Sequence, residues 1–129
     1  MSQQEKMLEY KMHMHQFQQL QQHLSSIEQH IEQLDNIKET LETISKEQAG
    51  TETLIPVGSG IFFKGTIGTT DKVIMNVGAS VCVEKNVSDA LTTVDKQKEE
   101  MQGLFAELSQ QAEELSESLQ HLQQHLKEE

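Results

Sequence analysis

Two stripes of apolar residues, one on each side of a Gly-rich middle, limit what this chain can fold into. From Met7 to Ile44 the apolar positions are 7, 10, 14, 17, 20, 24, 27, 31, 34, 37, 41 and 44, and every step is a three or a four. Such spacing lays a single stripe along one side of a helix. Two consecutive steps of three occur around Phe17 and again around Ile37, stammers that overwind a coiled coil locally. The second stripe is stricter. From Val87 it runs 87, 91, 94, 98, 101, 105, 108, 112, 115, 119, 122 and 126, alternating four and three, all apolar except Lys98. Gly50 before Thr51 reads as a helix stop. Asn86 with Asp89 resembles a helix cap, and Gly103 is a lone interior blemish that costs about 1 kcal/mol against Ala. At 1.5 Å per residue each helix would run roughly 60–65 Å.

Neither helix can bury its stripe alone, and their lengths match. Folding the chain back through the middle sets Ile44 near Leu91, Leu34 near Met101, Ile27 near Leu108, Leu20 near Leu115 and Tyr10 near Leu126. In that register Lys98 faces Ile37 and Lys38, so the irregularities of the two stripes coincide. An antiparallel coiled-coil hairpin follows. Composition agrees: 35% hydrophobic and 4% aromatic residues with no Trp cannot fill a thick core.

The middle, Thr53 to Lys85, holds the only Pro and five of the seven Gly residues, with no His and no Gln. Turn residues separate strand candidates at Leu54–Ile55, Gly60–Ile67, Val73–Val77 and Val81–Glu84, with breaks at Pro56-Val57-Gly58, Gly68 to Asp71 and Gly78-Ala79. This reads as two successive β-hairpins and divides the chain into 1–49, 50–85 and 86–129. The expected fold class is α+β, mainly α. So small a patch has little core of its own and exposes strand edges, and Ile61-Phe62-Phe63 puts apolar side chains on both faces. Oligomerisation through the middle is the physical expectation. Its interface is expected at Ile55, Val57, Ile61, Phe62 and Phe63 of the first hairpin. In the second it is expected at Val73, Ile74, Val77, Val81 and Val83.

A formal net charge of −11 opposes binding to nucleic acid or to anionic membranes, which need positive charge to displace counterions. The single Cys82 fits a reducing compartment. The first residues lack the apolar core of a signal peptide, and no run approaches a membrane span. A soluble, cytoplasmic chain is expected.

Three segments carry a family resemblance. Leu54-Ile55-Pro56-Val57-Gly58-Ser59-Gly60-Ile61-Phe62, Asp71-Lys72-Val73-Ile74-Met75-Asn76-Val77-Gly78-Ala79 and Val83-Glu84-Lys85 together resemble the alpha class of archaeal prefoldin subunits. Two hairpins point to the alpha class, since beta-class subunits carry one. The resemblance implies an ATP-independent chaperone in which two alpha and four beta subunits join their hairpins into a β-barrel platform. Coiled coils hang from the platform, hold unfolded protein at their tips and transfer it to a group II chaperonin.

The tip is then the candidate site for clients. Leu8 and Met12 lie off the stripe, beside Met7, Tyr10 and Met14 on it, and flexible Met and Leu side chains repack against many sequences. Leu119, Leu122 and Leu126 of the second helix would join them if the end opens. The plainer reading is that these residues thicken a fraying helix end. His13, His15, His121 and His125 gather near the same end, and His121 and His125 stand four apart on one helix face, a spacing that can hold a divalent ion; they are read as solvated, with no functional metal and with opportunistic capture of nickel or zinc as the alternative. Cys82 lacks a nearby base and is read as packing. The glycines of the middle do not form a phosphate-binding loop. Glu113, Glu114, Glu117, Glu128 and Glu129 form a solvated face that family analogy makes a candidate contact for a basic patch on the chaperonin. No constellation supports an enzyme or a cofactor. The alternative is a coiled-coil tether or scaffold subunit that binds one folded partner.

Overall fold

Ser2 opens the first helix. Its hydroxyl accepts the Glu5 N–H at 3.2 Å, which satisfies one of the donors that a helix start leaves without an internal partner. In the computed structural model, which describes residues 2–127, helix α1 then runs Gln3–Ser45 without interruption. It stops short of Gly50. The last turn tightens through Lys46 and Glu47 N–H groups donating three residues back, and Gly50 takes a left-handed φ of 91° to redirect the chain. Strands β1 (Glu52–Gly58), β2 (Ile61–Thr66), β3 (Lys72–Gly78) and β4 (Val81–Asn86) follow, then helix α2 (Val87–Lys127).

The strands form two separate antiparallel hairpins, β1 with β2 and β3 with β4. The second repeats the first pair for pair: Glu52↔Thr66 and Gly58↔Ile61 in one, Lys72↔Asn86 and Gly78↔Val81 in the other. Each has a bulge one residue before its turn, between Pro56 and Gly58 or between Asn76 and Gly78. Each closes on two residues with positive φ, Ser59 (51°) and Gly60 (74°), then Ala79 (50°) and Ser80 (62°). Positive φ at both central residues is the type I′ turn, whose twist matches that of the flanking strands. Contrary to the sequence expectation, Pro56 does not break β1 but lies inside it, opposite Phe62. A two-stranded sheet allows this, because the missing N–H falls on an edge or at a bulge. Backbone bonds close the open ends: Gly50 N–H to Ile67 C=O at 2.7 Å, Ile67 N–H to Thr51 C=O at 2.9 Å, and Val87 N–H to Asp71 C=O at 2.9 Å. The carbonyl of Asp71 thus serves the start of α2, where Asn86, the last residue of β4, was expected to cap. The Thr69 hydroxyl donates to the Asp71 carboxylate and holds that carboxyl below its ordinary value. Its stabilisation of the turn is present above the ordinary aspartate pKa and fades as the pH falls through the lowered one.

The chain divides into two compact units, one formed by residues up to Gln33 with those from Lys98 onward, the other by Leu34–Gln97. In the first, Leu24 and Ile27 of α1 and Ala112, Leu119 and Leu122 of α2 are buried. Leu20 and Leu115 line one groove together, and Phe17 and Leu24 line another with Ala112. That is the antiparallel register the stripes require.

In the second unit Leu34, Val87, Ala90 and Val94 are buried. Two stripe positions depart from expectation. Ile37 is 46% exposed, while Lys38 is half-buried and its Nζ pairs with Asp95 Oδ1 at 3.0 Å. A helix at 3.6 residues per turn does not follow the second step of three from Leu34 to Ile37. It presents Lys38 instead, whose alkyl stem covers the seam while the ammonium reaches out. The hydrogen bond and charge of Asp95 raise the Lys38 pKa above its ordinary value. That contribution is complete at neutral pH and is lost only as the pH rises through the raised value. On α2, Ala90 is 1% exposed although it lies off the stripe, and Leu91 on the stripe is half-buried.

Two measurements test this geometry. Leu34, 3% exposed, replaced by Ala should lower the unfolding free energy by about 2–3 kcal/mol, whereas Ile37→Ala should stay within about 0.5 kcal/mol. Equal losses in denaturant titrations would refute the assigned seam. Left-handed φ at Ala79 and Ser80 is strained for residues with a Cβ, so Ala79→Asn with Ser80→Gly, the preferred I′ pair, should raise stability by about 1 kcal/mol. An unchanged or lowered midpoint would refute the turn assignment.

Candidate functional site

The hairpins carry the largest group of exposed apolar side chains. Strand alternation explains how both faces become apolar. Ile55 and Phe63 are opposed on one face, Pro56 and Phe62 on the other, with Leu54 beside them opposite Lys64. Gly65 leaves room for this arrangement, since a Cβ there would come within 2.8 Å of Ile55 Cδ1. Leu54, Ile55, Val57, Ile61, Phe62 and Phe63 are all more than half exposed. In the second hairpin the faces differ. Val73, Met75, Val83 and Lys85 are half-buried, while Ile74 on the other face is 77% exposed. Val77 and Val81 at the turn are exposed as well. Cys82, expected to pack, is exposed on the Ile74 face, opposite Asn76.

Of the residues expected at the assembly surface, only Val73 and Val83 are partly covered. Leu54 belongs with the exposed set and was not among them; its place in a strand beside Ile55, in a sheet with no second layer, is the signal that would have found it. Each sheet has two strands, so among the described residues every strand keeps one edge without a strand partner.

The other candidate lies where α1 begins and α2 ends. Met7, Leu8 and Met12 are exposed, and Tyr10 and Met14 are half-buried. Leu8 and Met12 are one turn apart on the same side of α1, so their side chains are neighbours. Leu119 and Leu122 are buried in the helix pair and Leu126 is half-buried, so the α2 leucines seal the seam and are not presented. His13, His121 and His125 line one open groove of about 410 Å³ with Lys6, Glu9, Ser118 and Leu122; His15 does not line it. Exposed Glu113, Glu114 and Glu117 border the two neighbouring grooves, whereas Glu128 and Glu129 lie outside the described residues. No helix among the described residues is long and apolar enough to cross a membrane.

Comparison with known proteins agrees with this arrangement. A family model described as Prefoldin subunit matches residues 14–129. The prefoldin subunit alpha of Methanopyrus kandleri is 33% identical over 67 residues, 52% of this chain and 43% of that protein. Its counterpart from Pyrococcus horikoshii is 32% identical over 85 residues, 60% of this chain and 57% of that one. Prefoldin subunit alpha 1 of Methanocaldococcus jannaschii is 34% identical over 84 residues, 65% and 58% of the two chains. The chain spans about half the length of the curated relatives it matches. A cryo-EM structure of filamentous PFD from Methanocaldococcus jannaschii superposes with a TM-score of 0.77 at 22% identity, covering 87% of this chain and 93% of that one, which shows a shared fold. Two helices flanking two hairpins, and a family pattern that runs from Met14 to the last residue, lead to one conclusion: the chain belongs to the prefoldin family.

Proposed function

We propose that this chain is an alpha-type subunit of an ATP-independent chaperone. It assembles through its β-hairpins with beta-class subunits, two alpha with four beta, in the cytoplasm. It holds unfolded polypeptide at the start of α1 and passes it to a group II chaperonin. The observation that carries the reading is the exposure of apolar side chains on both faces of a two-stranded hairpin, Ile55 and Phe63 on one and Leu54 and Phe62 on the other. A surface of that kind is incomplete by itself, and strand edges supply the hydrogen bonds through which another chain's strands complete it.

Client contact is assigned to Met7, Leu8 and Met12, which are exposed, with Tyr10 and Met14 beside them. Their side chains are long and flexible, so they adapt to many sequences. The leucines at 119, 122 and 126 join only where the helix pair opens. Each contact is weak, and several subunits acting on one polypeptide raise the apparent affinity through effective concentration. The exposed glutamates at 113, 114 and 117 are the contact proposed for a basic surface of the chaperonin. No catalytic step forms part of this reading.

Mixing the chain with a beta-class subunit should give a hexamer by native mass measurement that suppresses aggregation of a denatured client without nucleotide. Leu8→Ser with Met12→Ser should weaken suppression several-fold and leave the hexamer mass unchanged. Phe62→Asp should do the reverse, leaving helicity intact and removing assembly. A mixture that stays as separate species and protects no client, while still capturing one folded partner, would point to a tether instead.

A further inference from the structure

His121 and His125 stand one turn apart on α2, and their Nε2 atoms are 3.0 Å apart. The rings meet edge to face, with centroids at 4.4 Å and planes at 80°. In the neutral pair one Nε2–H donates to the other Nε2, so the two ring nitrogens face each other across one helical turn.

We propose that His121 and His125 form a two-histidine chelate for a late first-row divalent cation, copper(II) before nickel(II). Imidazole nitrogens bind late first-row cations at about 2.0–2.1 Å, so two of them reach one ion when about 2.8–3.4 Å apart, from the right angle to the tetrahedral one. The observed 3.0 Å lies in that range, and small ring rotations turn both nitrogens toward the ion. Such ligands hold copper(II) more tightly than nickel(II) or zinc(II). Binding needs both Nε2 lone pairs, so the ring that carries its proton on Nε2 moves it to Nδ1, and no net proton is released. Among the described residues no group of three or more His, Cys, Asp or Glu side chains is placed to hold a metal ion, so water fills the remaining positions.

The surroundings do not oppose a cation. Both rings are exposed on the last described turns of α2. From α1, Lys6, Glu9 and His13 face the same groove, so one ammonium and one carboxylate offset each other there. A bidentate ion bridges successive turns and so fixes the end of α2 as helix. This assignment does not depend on the chaperone reading.

The test uses the full chain without an affinity tag, stripped with chelator, in calorimetric titrations with copper(II), nickel(II), zinc(II) and magnesium(II) chlorides. One equivalent of copper(II) or nickel(II) should bind per chain and raise the melting temperature, with copper tightest and magnesium silent. The copper complex should show coupling to two ring nitrogens by electron paramagnetic resonance. Ala keeps helix propensity and both rings are exposed, so His121→Ala and His125→Ala should fold as the parent does by circular dichroism. Each should weaken binding by at least about the tenfold that loss of a supporting hydrogen bond costs at metal sites, while His30→Ala changes nothing. Parent-like affinity in either variant, tighter binding of zinc than of copper, or loss of binding in His30→Ala would overturn the assignment.

Discussion

Burial in this molecule is thin everywhere. Among the described residues nine apolar side chains are buried and no large side chain reaches full burial. A seam between two helices buries a few positions such as Leu34 but leaves most stripe residues half-buried, so most positions contribute only part of the roughly 1.5–3 kcal/mol of a fully buried aliphatic group. Stability is therefore the sum of many partial contacts along matched stripes, and no single residue commands it. This is why a lysine can occupy the seam. At Lys38 the stem replaces an aliphatic side chain at little loss, and Asp95 at 3.0 Å takes the charge. In a thick core the same substitution would strand a buried ammonium.

The same shortage of layers governs the hairpins, with a different result. A helix pair gives each stripe a partner, but a two-stranded sheet has two faces and gives neither one. Ile55 and Phe63 on one face and Leu54 and Phe62 on the other are therefore exposed by geometry, since period-two alternation sends every neighbouring pair to opposite sides. The two hairpins share register, bulge and turn type, yet they solve the turn differently. Gly60 meets the left-handed requirement at no steric cost, while Ala79 and Ser80 bear it with a Cβ. In the second hairpin the Asn76 side chain accepts the Gly78 N–H at 2.9 Å, a local bond that Pro56 at the matching place in the first hairpin cannot make. Equivalent backbones are thus held by different side-chain chemistry.

Much of this was legible in the spacing of residues. The two helices, their antiparallel register at Leu20 and Leu115, the two hairpins and the exposure of Leu8 and Met12 off the stripe all follow from periodicity and turn residues. The failures have physical causes. Apolar spacing puts Ile37 on the seam, but helix geometry is the stricter constraint and puts Lys38 there. Ala90 escapes the pattern because its small side chain contributes little to it, although small size is what lets a seam close tightly over it. Pro56 signals a break because proline interrupts central strands, a rule without force in a sheet made only of edges. Val81 and Val83 suggest an interior for Cys82, yet no layer covers its face. The i, i+4 spacing of His121 and His125 was visible, but the 3.0 Å between nitrogens depends on ring rotamers that spacing does not encode.

Exposed apolar surface serves two different purposes in the proposed reading, and side-chain entropy separates them. β-Branched and aromatic residues such as Ile55, Val57, Phe62 and Phe63 have few rotamers to lose. Held on strands beside hydrogen-bonding edges, they suit one partner in one register. Methionine and leucine on a helix, as at Met7, Leu8 and Met12, keep more conformers and have no edge to dictate register, so they suit many partners weakly. Exchanging the two sets would be expected to harm both roles. Rigid aromatic residues in place of Leu8 and Met12 would select among clients, and flexible methionines in place of Phe62 and Phe63 would lose more entropy on assembly than they return in contact. The partition of residue types between strand and helix is thus what lets one thin structure assemble specifically and bind without specificity.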